Sequence, residues 1–368
     1  MSIFTFILFI LILTVLIFIH ELGHFLAAKW VGMKVEEFSI GFFNPILYSK
    51  KIGDTQYSIR AMLLGGYVKI LGENNGEGST ITDPRAFSNR PWWQQAVVLV
   101  AGVTMNLALA YILFVITSFG LTTVASDHTD FKGRIINERI AIAEVMPNSP
   151  AASAGINAGA VLLEVKANGK KSSLNTEQDI IDFLAKNENA PIALTYQNRG
   201  SEKASTTIAL VYGLIEGKKA IGLSLQKVGD VHIGFFESFK VGGQQLVQYT
   251  ILTFEGLYNL LKGAFKGDNV LNSLSGPVGI ATLVGQASDI GYRSVLLLVA
   301  FLSLNLAILN ILPLPALDGG QLVKVSIESL LRRKLKDTYS LWLNAVGFIL
   351  LMGLLITVTI HDVFKLFA

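Results

Sequence analysis

Cysteine is absent from this 368-residue chain, which excludes a disulfide framework and a thiolate-bound metal. Charge is sparse: Asp, Glu, Lys and Arg make up 15% of the residues, and the net balance is only +3. No basic run carries interleaved aromatics, so nucleic acid is not an expected partner. Histidine numbers five, leaving few candidates for an imidazole metal site. Hydrophobic residues fill the space, at 51% of the chain. Such a composition is too apolar for a soluble protein of this length and predicts several membrane spans with a soluble portion.

Ile3 to Ile19 contain no ionisable side chain. The segment lacks a basic start and an A-x-A cleavage site, so it reads as a retained span rather than a signal peptide. At its end, His20-Glu21-Leu22-Gly23-His24 places two imidazoles and a carboxylate within five residues. Helix positions i and i+4 share a face, so His20 and His24 can address one ion. This is the H-E-x-x-H pattern of zinc hydrolases, with the histidines as ligands and Glu21 as general base. The plainer alternative is a satisfied polar cluster at a helix end. Ionisable groups inside a membrane segment point instead to function.

The first transmembrane helix with this motif is expected over residues 1–29. Residues 30–92 read as a β region with a polar loop. Alternation around Tyr57-Ser58-Ile59-Arg60, the turn Gly53-Asp54 and the break at Gly65-Gly66 favour strands. Its apolar side chains suggest a sheet dipping into the membrane face, with an edge near Tyr57 and Ile59 open to a substrate strand. A plain cytoplasmic hairpin has the same pattern. The loop Gly72 to Thr80 is polar and flexible in composition. A second span is expected over 93–121, anchored by Arg90, Trp92 and Trp93. Within it, Gly102 and Asn106 lie one turn apart and suit close packing and hydrogen bonding against the first helix, with Asn106 near the site.

Residues 137–227 read as a soluble α+β module whose stretch NSPAASAGINAGAVLLEVKANGK resembles a PDZ domain, although Ala160 stands where such domains usually carry Asp. Residues 237–268 show an apolar stripe of Val247, Ile251, Phe254, Tyr258, Leu261 and Phe265, expected to lie as an amphipathic helix on the membrane surface. A third span over 290–320 ends in Pro313-Leu314-Pro315-Ala316-Leu317-Asp318-Gly319-Gly320, where the prolines break the helix. A fourth span is expected over 338–362. Lys and Arg concentrate in the stretch between the first two spans and again after Asp318, in Lys324, Arg332, Arg333, Lys334 and Lys336. The positive-inside rule puts both stretches in the cytoplasm and both chain ends outside.

A catalytic zinc site needs three protein ligands and an open position. His128, His232 and His361 fall outside the apolar runs of the expected spans, the fourth run ending at about Ile360, whereas Asp318 sits in the intramembrane break, on the same side as His20 and His24. Asp318 alone would read as a helix-capping residue. Paired with the two histidines at matching depth, it reads as the third ligand.

HELGH, LLGGYVKILGE, AFSNRPWWQQAVVLVAGVTMN, LSGPVGIA (Leu274 to Ala281) and NLAILNILPLPALDGGQL together resemble the bacterial site-2 proteases, the family of the sigma-E regulator protease. The resemblance covers nearly the whole length. It implies an intramembrane zinc metalloprotease with His20, His24 and Asp318 as zinc ligands and Glu21 as catalytic residue. It further implies that Asn305 and Asn310 serve substrate binding or site geometry. The implied substrates are transmembrane segments of single-span proteins already trimmed by another protease, of the anti-sigma-factor or remnant-signal-peptide type. The implied place is the bacterial inner membrane, with the lipid bilayer as surroundings, the site towards the cytoplasm and the PDZ-like domain outside. Two features depart from the best-known relatives: one PDZ-like module instead of two, and Gln321 where many have His. The fold expected is thus a polytopic α-helical membrane protein with four transmembrane helices, a membrane-associated β-sheet or hairpin, and one soluble α+β PDZ-like domain. Two other functions remain in view, a membrane scaffold with a structural metal and a metallohydrolase acting on small molecules or lipids. An intact Glu21 argues against the first, and the PDZ-like module with a possible substrate-edge sheet argues against the second.

Overall fold

The computed structural model describes residues 2–73, 82–127, 129–146, 149–198, 202–215, 218–267, 274–333, 335 and 337–367. Most of the polar loop before Thr80, together with His128, Lys334 and Lys336, therefore lies outside the described residues. In chain order the elements are α1 (Ile3–Trp30), β1 (Val35–Ile52), β2 (Thr55–Ile70), α2 (Trp92–Ser118), β3 (Gly120–Ala125), β4 (Ile136–Val145), α3 (Pro150–Ser153), β5 (Val161–Ala167), β6 (Lys170–Lys171), α4 (Glu177–Lys186), β7 (Ile192–Gln197) and β8 (Lys203–Ile208). They continue as β9 (Val211–Ile215), β10 (Lys218–Ala220), β11 (Leu223–Ile233), α5 (Phe235–Lys266), α6 (Pro277–Ile290), α7 (Tyr292–Ile311), α8 (Asp318–Leu331) and α9 (Asp337–Phe367). The chain divides into two units: Met1–Thr117 with Lys240–Ala368, and Ser118–Phe239.

In the first unit, α1, α2, α7 and Trp342–Phe364 of α9 are long and apolar enough to cross a membrane. A helix rises 1.5 Å per residue, so about 20 apolar residues match a hydrocarbon core about 30 Å thick. A core shared by α1, α2, α6 and α7 joins Phe9, Ile12 and Leu16 of α1 to Phe114 of α2, Val284 of α6 and Leu304 of α7. The second span ends at Ser118 rather than near residue 121, because the chain beyond it becomes β3.

β1 and β2 are bent strands that each pair twice. Residues 46–52 pair with 55–60, residues 35–40 lie on the other side of that row, and 66–70 pair with 35–40. Positive φ at Gly41 (88°) and Gly65 (116°) lets the strands bend where a side chain would be strained. Ser58 Oγ and Arg60 Nη2 donate to Glu37 Oε1 at 2.6 and 2.8 Å, tying the rows together. Phe25 of α1 stacks on Phe38 at 4.7 Å between ring centroids, which fastens the sheet to α1. This arrangement corrects one expectation. Tyr57 and Ile59 belong to the row 55–60, which is flanked on both sides, so no substrate strand can add to the backbone there.

α6 begins at the glycines of LSGPVGIA and has no side-chain cap of its own. The cap comes from α9: Asp362 Oδ2 accepts the backbone N–H groups of Gly276 and Gly279, each at 2.8 Å. Asp362 is 5% exposed, and a Cβ on Gly276 would approach its Oδ2 to 2.9 Å. Asp362→Ala leaves one buried and one part-buried donor unmet, at about 1–3 kcal/mol for the buried one. We expect a clear loss of thermal stability in detergent, with Asp362→Asn intermediate. An unchanged melting temperature for Asp362→Ala would contradict this account of α6.

After α7 the two prolines interrupt the helix, and Ala316 adopts φ +73°. α8 then starts at Asp318, its N-terminal turn pressed against the chain before it. A Cβ on Gly319 would overlap the carbonyl groups of Ile311 and Leu312, so only glycine fits. Asp318 makes no N-cap bond, since the cap position is Leu317 without a side-chain hydrogen bond.

α5 differs from a helix lying only on a surface. Tyr249 stacks on Phe114 of α2 at 5.4 Å and meets Phe301 of α7 at 5.9 Å, and Leu246 and Leu257 join the same core. The stripe legible in the sequence is a second, neighbouring and exposed face, where Tyr258 is 63% and Phe265 92% exposed. The helix is apolar on two faces, and the period marks one of them only.

The second unit holds a sheet ordered β3-β11-β4-β5-β7-β8, with β6 paired to β5, and a small β9–β10 pair. Ile140, Ile142, Leu162, Val165, Ile180 and Ile192 form its core. α4 is set by a capping box between Thr176 and Asp179, and Ile180 is buried on its inner side. The unit exceeds residues 137–227 because β3 pairs with the end of β11, as in Val124 opposite Gly229.

Candidate active site

α1 delivers His20 and His24 to one face, each 7% exposed. α1 and α2 meet backbone to backbone: a Cβ on Gly23 would lie 2.5 Å from the Ala101 carbonyl oxygen and 2.9 Å from Gly102 Cα. A Cβ on Gly102 would collide with His24 Nε2 and stand 2.8 Å from Cε1 of both rings. These glycines let the helices approach until the imidazoles fill the gap. Overpacking by one methyl costs about 1–3 kcal/mol. Gly102→Ala should therefore spread the rings and lower zinc affinity by about tenfold, read by chelator competition. Undiminished affinity would count against this packing.

The ring of His24 is oriented by Val98, whose carbonyl oxygen lies 2.8 Å from Nδ1. That leaves Nε2 facing Nε2 of His20 at 3.1 Å, the rings edge to face at 4.7 Å between centroids. Asp318 Oδ2, from the first turn of α8, lies 3.0 Å from His20 Nε2 and 3.3 Å from His24 Nε2. Three ligand atoms thus point at one place. Among the described residues, Asp318 Oδ2 is buried and makes no well-aligned hydrogen bond.

This donor set fits zinc. Tetrahedral bonds of about 2.0–2.1 Å put ligand atoms about 3.3–3.4 Å apart, close to the separations here. A cation would also satisfy three lone pairs that otherwise face one another in a buried place. His20, His24 and Asp318 are the group of His, Asp or Glu among the described residues that could hold a metal ion, their ligand atoms all within 4.8 Å of one another.

Glu21 follows His20 on α1 and lies within electrostatic range of His24, His20 and Asp318. Its Oε2 accepts the N–H of Val68 at 3.0 Å, so the row 66–70 ends against the site. Among the described residues that row is paired on one side only, with 35–40. Asn310, in the last turns of α7, brings Nδ2 to 3.4 Å from His20 Nε2. Asn305 is directed elsewhere: its Nδ2 donates to the Phe301 carbonyl and its Oδ1 accepts from Thr253 of α5. Tyr57 packs edge-on against Phe25 at 5.9 Å. The structure therefore brings together His20, Glu21, His24, Asp318 and Asn310, and keeps Asn305, Tyr57 and Ile59 apart from them.

Sequence reasoning overlooks three participants. Val68 and Val98 act through backbone groups, which carry no side-chain signal. Glu73 closes the LLGGYVKILGE stretch. Burial pushes its carboxyl up to about 7, with His24 opposing and Glu21 and Asp318 adding to the rise. The Gly-Glu ending of that stretch was the available signal.

Comparison with known proteins agrees with this chemistry. Residues 8–354 match Peptidase family M50. A Clostridium acetobutylicum protein bearing the name "putative zinc metalloprotease" is 36% identical over 99% of this chain and 98% of its own length. Proteins of the same name from Clostridium perfringens and Fusobacterium nucleatum are 34% and 33% identical, over 96% and 99% of this chain and 97% and 99% of their own. With full-length coverage, a zinc-compatible donor set and helices fit to span a membrane, this chain belongs to peptidase family M50, the site-2 protease family of zinc metalloendopeptidases.

Proposed function

We propose that this protein cuts the transmembrane segments of single-span membrane proteins, within the membrane. The observation that carries the reading is the convergence of His20, His24 and Asp318 beside Glu21, with both histidines on a helix fit to cross a bilayer. His20, His24 and Asp318 are the residues that would hold zinc. When bound, zinc supplies Lewis acidity towards the attacking water and the scissile carbonyl. Glu21 takes the proton from that water and returns it to the leaving amide nitrogen, so no net proton is consumed in cleavage. The Val68 N–H fixes which Glu21 oxygen stays free for this work.

A substrate helix hides its backbone in its own hydrogen bonds and must unwind before it can be attacked. The one-sided row 66–70 supports a place for the unwound segment, added as a strand next to Glu21. Asn310, within reach of His20, is suited to hold a substrate carbonyl or amide. Asn305 would act on substrate indirectly, by tying α5 to α7. Tyr57 and Ile59 can contribute side chains only.

The basic stretch between α1 and α2 supports a cytoplasmic site and an outer, PDZ-like second unit. The exposed apolar stripe of α5 supports contact with lipid. Residence in a bacterial inner membrane, and substrates of the anti-sigma-factor or remnant-signal-peptide type trimmed beforehand, complete the reading.

The test uses a purified single-span substrate and a variant with one Gly placed in its span near the cut. Gly lowers helix stability by about 1 kcal/mol, so cleavage should rise by up to about fivefold. A rate indifferent or opposed to helix-breaking substitutions would remove the unwinding step.

A further inference from the structure

His24 and His20 are supported differently on the side away from Asp318. Val98 offers His24 a backbone carbonyl, which can only accept, so Nδ1 carries the proton and Nε2 keeps its lone pair. His20 Nε2 lies 3.0 Å from Asp318 Oδ2 on the metal side; as a ligand atom it keeps its lone pair, so Nδ1 carries the proton and needs an acceptor as well. The group beside it is the side-chain amide of Asn106, with Nδ2 at 3.4 Å from Nδ1.

Asn106 is 0% exposed, and its Oδ1 is buried without a hydrogen-bond partner among the described residues. Oxygen and nitrogen of an amide occupy nearly the same space, and their assignment follows the hydrogen bonds they make. Turning the amide by half a revolution brings Oδ1 to the Nδ1–H of His20. The turn of α2 that carries Asn106 is itself held, since Ser303 Oγ of α7 donates to the Asn106 carbonyl at 2.8 Å, and Ser303 is also 0% exposed.

We propose that Asn106 is a positioning residue for the metal site: its Oδ1 accepts the Nδ1–H of His20 and fixes the tautomer and ring angle that aim Nε2 at the metal. The inference rests on the reading of His20 as a zinc ligand. α2 then orients both imidazoles, His24 through the Val98 carbonyl and His20 through the Asn106 side chain. Hydrogen-bond partners of ligand imidazoles change metal affinity by about 10–100-fold when removed.

The experiment measures zinc affinity of the full chain in detergent by chelator competition, with the cobalt-substituted absorption spectrum as a second readout. Asn106→Leu keeps the volume and removes the acceptor, and should weaken zinc by about 10–100-fold. Asn106→Asp keeps an acceptor and should hold affinity near that of the parent. Folding is followed by gel filtration and thermal melting. Parental affinity in folded Asn106→Leu would overturn the proposal. If Asn106→Leu does not fold, Asn106→Ala replaces it against Asn106→Asp, and equal affinities for that pair would overturn the proposal. His20→Ala separates the two levels of the reading. If it too binds zinc like the parent, His20 is not a ligand and the site assignment fails. If only His20→Ala loses zinc, the site stands and the role of Asn106 falls.

Discussion

Glu21→Gln should bind zinc like the parent and lose cleavage by about 10²–10⁴-fold, the range that general-base catalysis contributes. Glutamine keeps the shape of the side chain, and its carbonyl oxygen can still accept the Val68 N–H that Glu21 Oε2 takes at 3.0 Å. What it cannot do is take a proton. The three candidate ligands contact one another without Glu21, so nothing in the metal site is disturbed. Zinc content and turnover of a single-span substrate, measured on the same preparation, separate the two properties. Parallel loss of zinc and activity would make Glu21 a structural part of the site. Retained activity would remove it from the chemistry.

The second large effect concerns Asp318. Asp318→Ala removes one of three ligands and the anion that faces two imidazoles at 3.0 and 3.3 Å. Structural zinc sites bind with about 10–16 kcal/mol shared among four ligands, so one ligand is worth about 3 kcal/mol. Zinc affinity should fall by about 10²–10³-fold, and cleavage at ordinary zinc concentrations should fall to background. Asp318 makes no N-cap bond, so α8 should keep its stability when the carboxyl is removed. A melting curve that collapses while zinc remains bound would reverse the assignment, making Asp318 a structural residue.

The sequence was most legible where one physical constraint acts on a continuous segment. Bilayer thickness sets the length of an apolar run, and the four expected spans reappear as α1, α2, α7 and most of α9. The i, i+4 spacing of His20 and His24 survives because α1 is unbroken through the motif. Asp318 could be singled out because it follows directly on the helix break at Pro313 and Pro315, a feature visible before any contact is known.

Contacts between distant segments were less accessible. Asp362 caps α6 across 83 to 86 residues of sequence, and neither end shows the pairing. Val68 and Val98 reach the site through peptide groups, which every residue has. Asn305 and Asn310 lie five residues apart, more than one helical turn, so α7 turns one towards Thr253 and the other towards His20. Alternation in Tyr57–Ile59 marked a strand correctly, yet gave no sign that neighbours would occupy both of its sides. The boundary at residue 137 missed β3 because a short strand directly after a span shares the apolar character of that span.

The most direct measurement follows cleavage of a purified single-span substrate through chelation and zinc return, with product ends located by mass spectrometry. The account predicts that cleavage stops on chelation and resumes with zinc, that the new ends fall inside the apolar segment, and that Glu21→Gln never recovers. Cutting that persists in chelator, or ends that lie only outside the apolar segment, would contradict it.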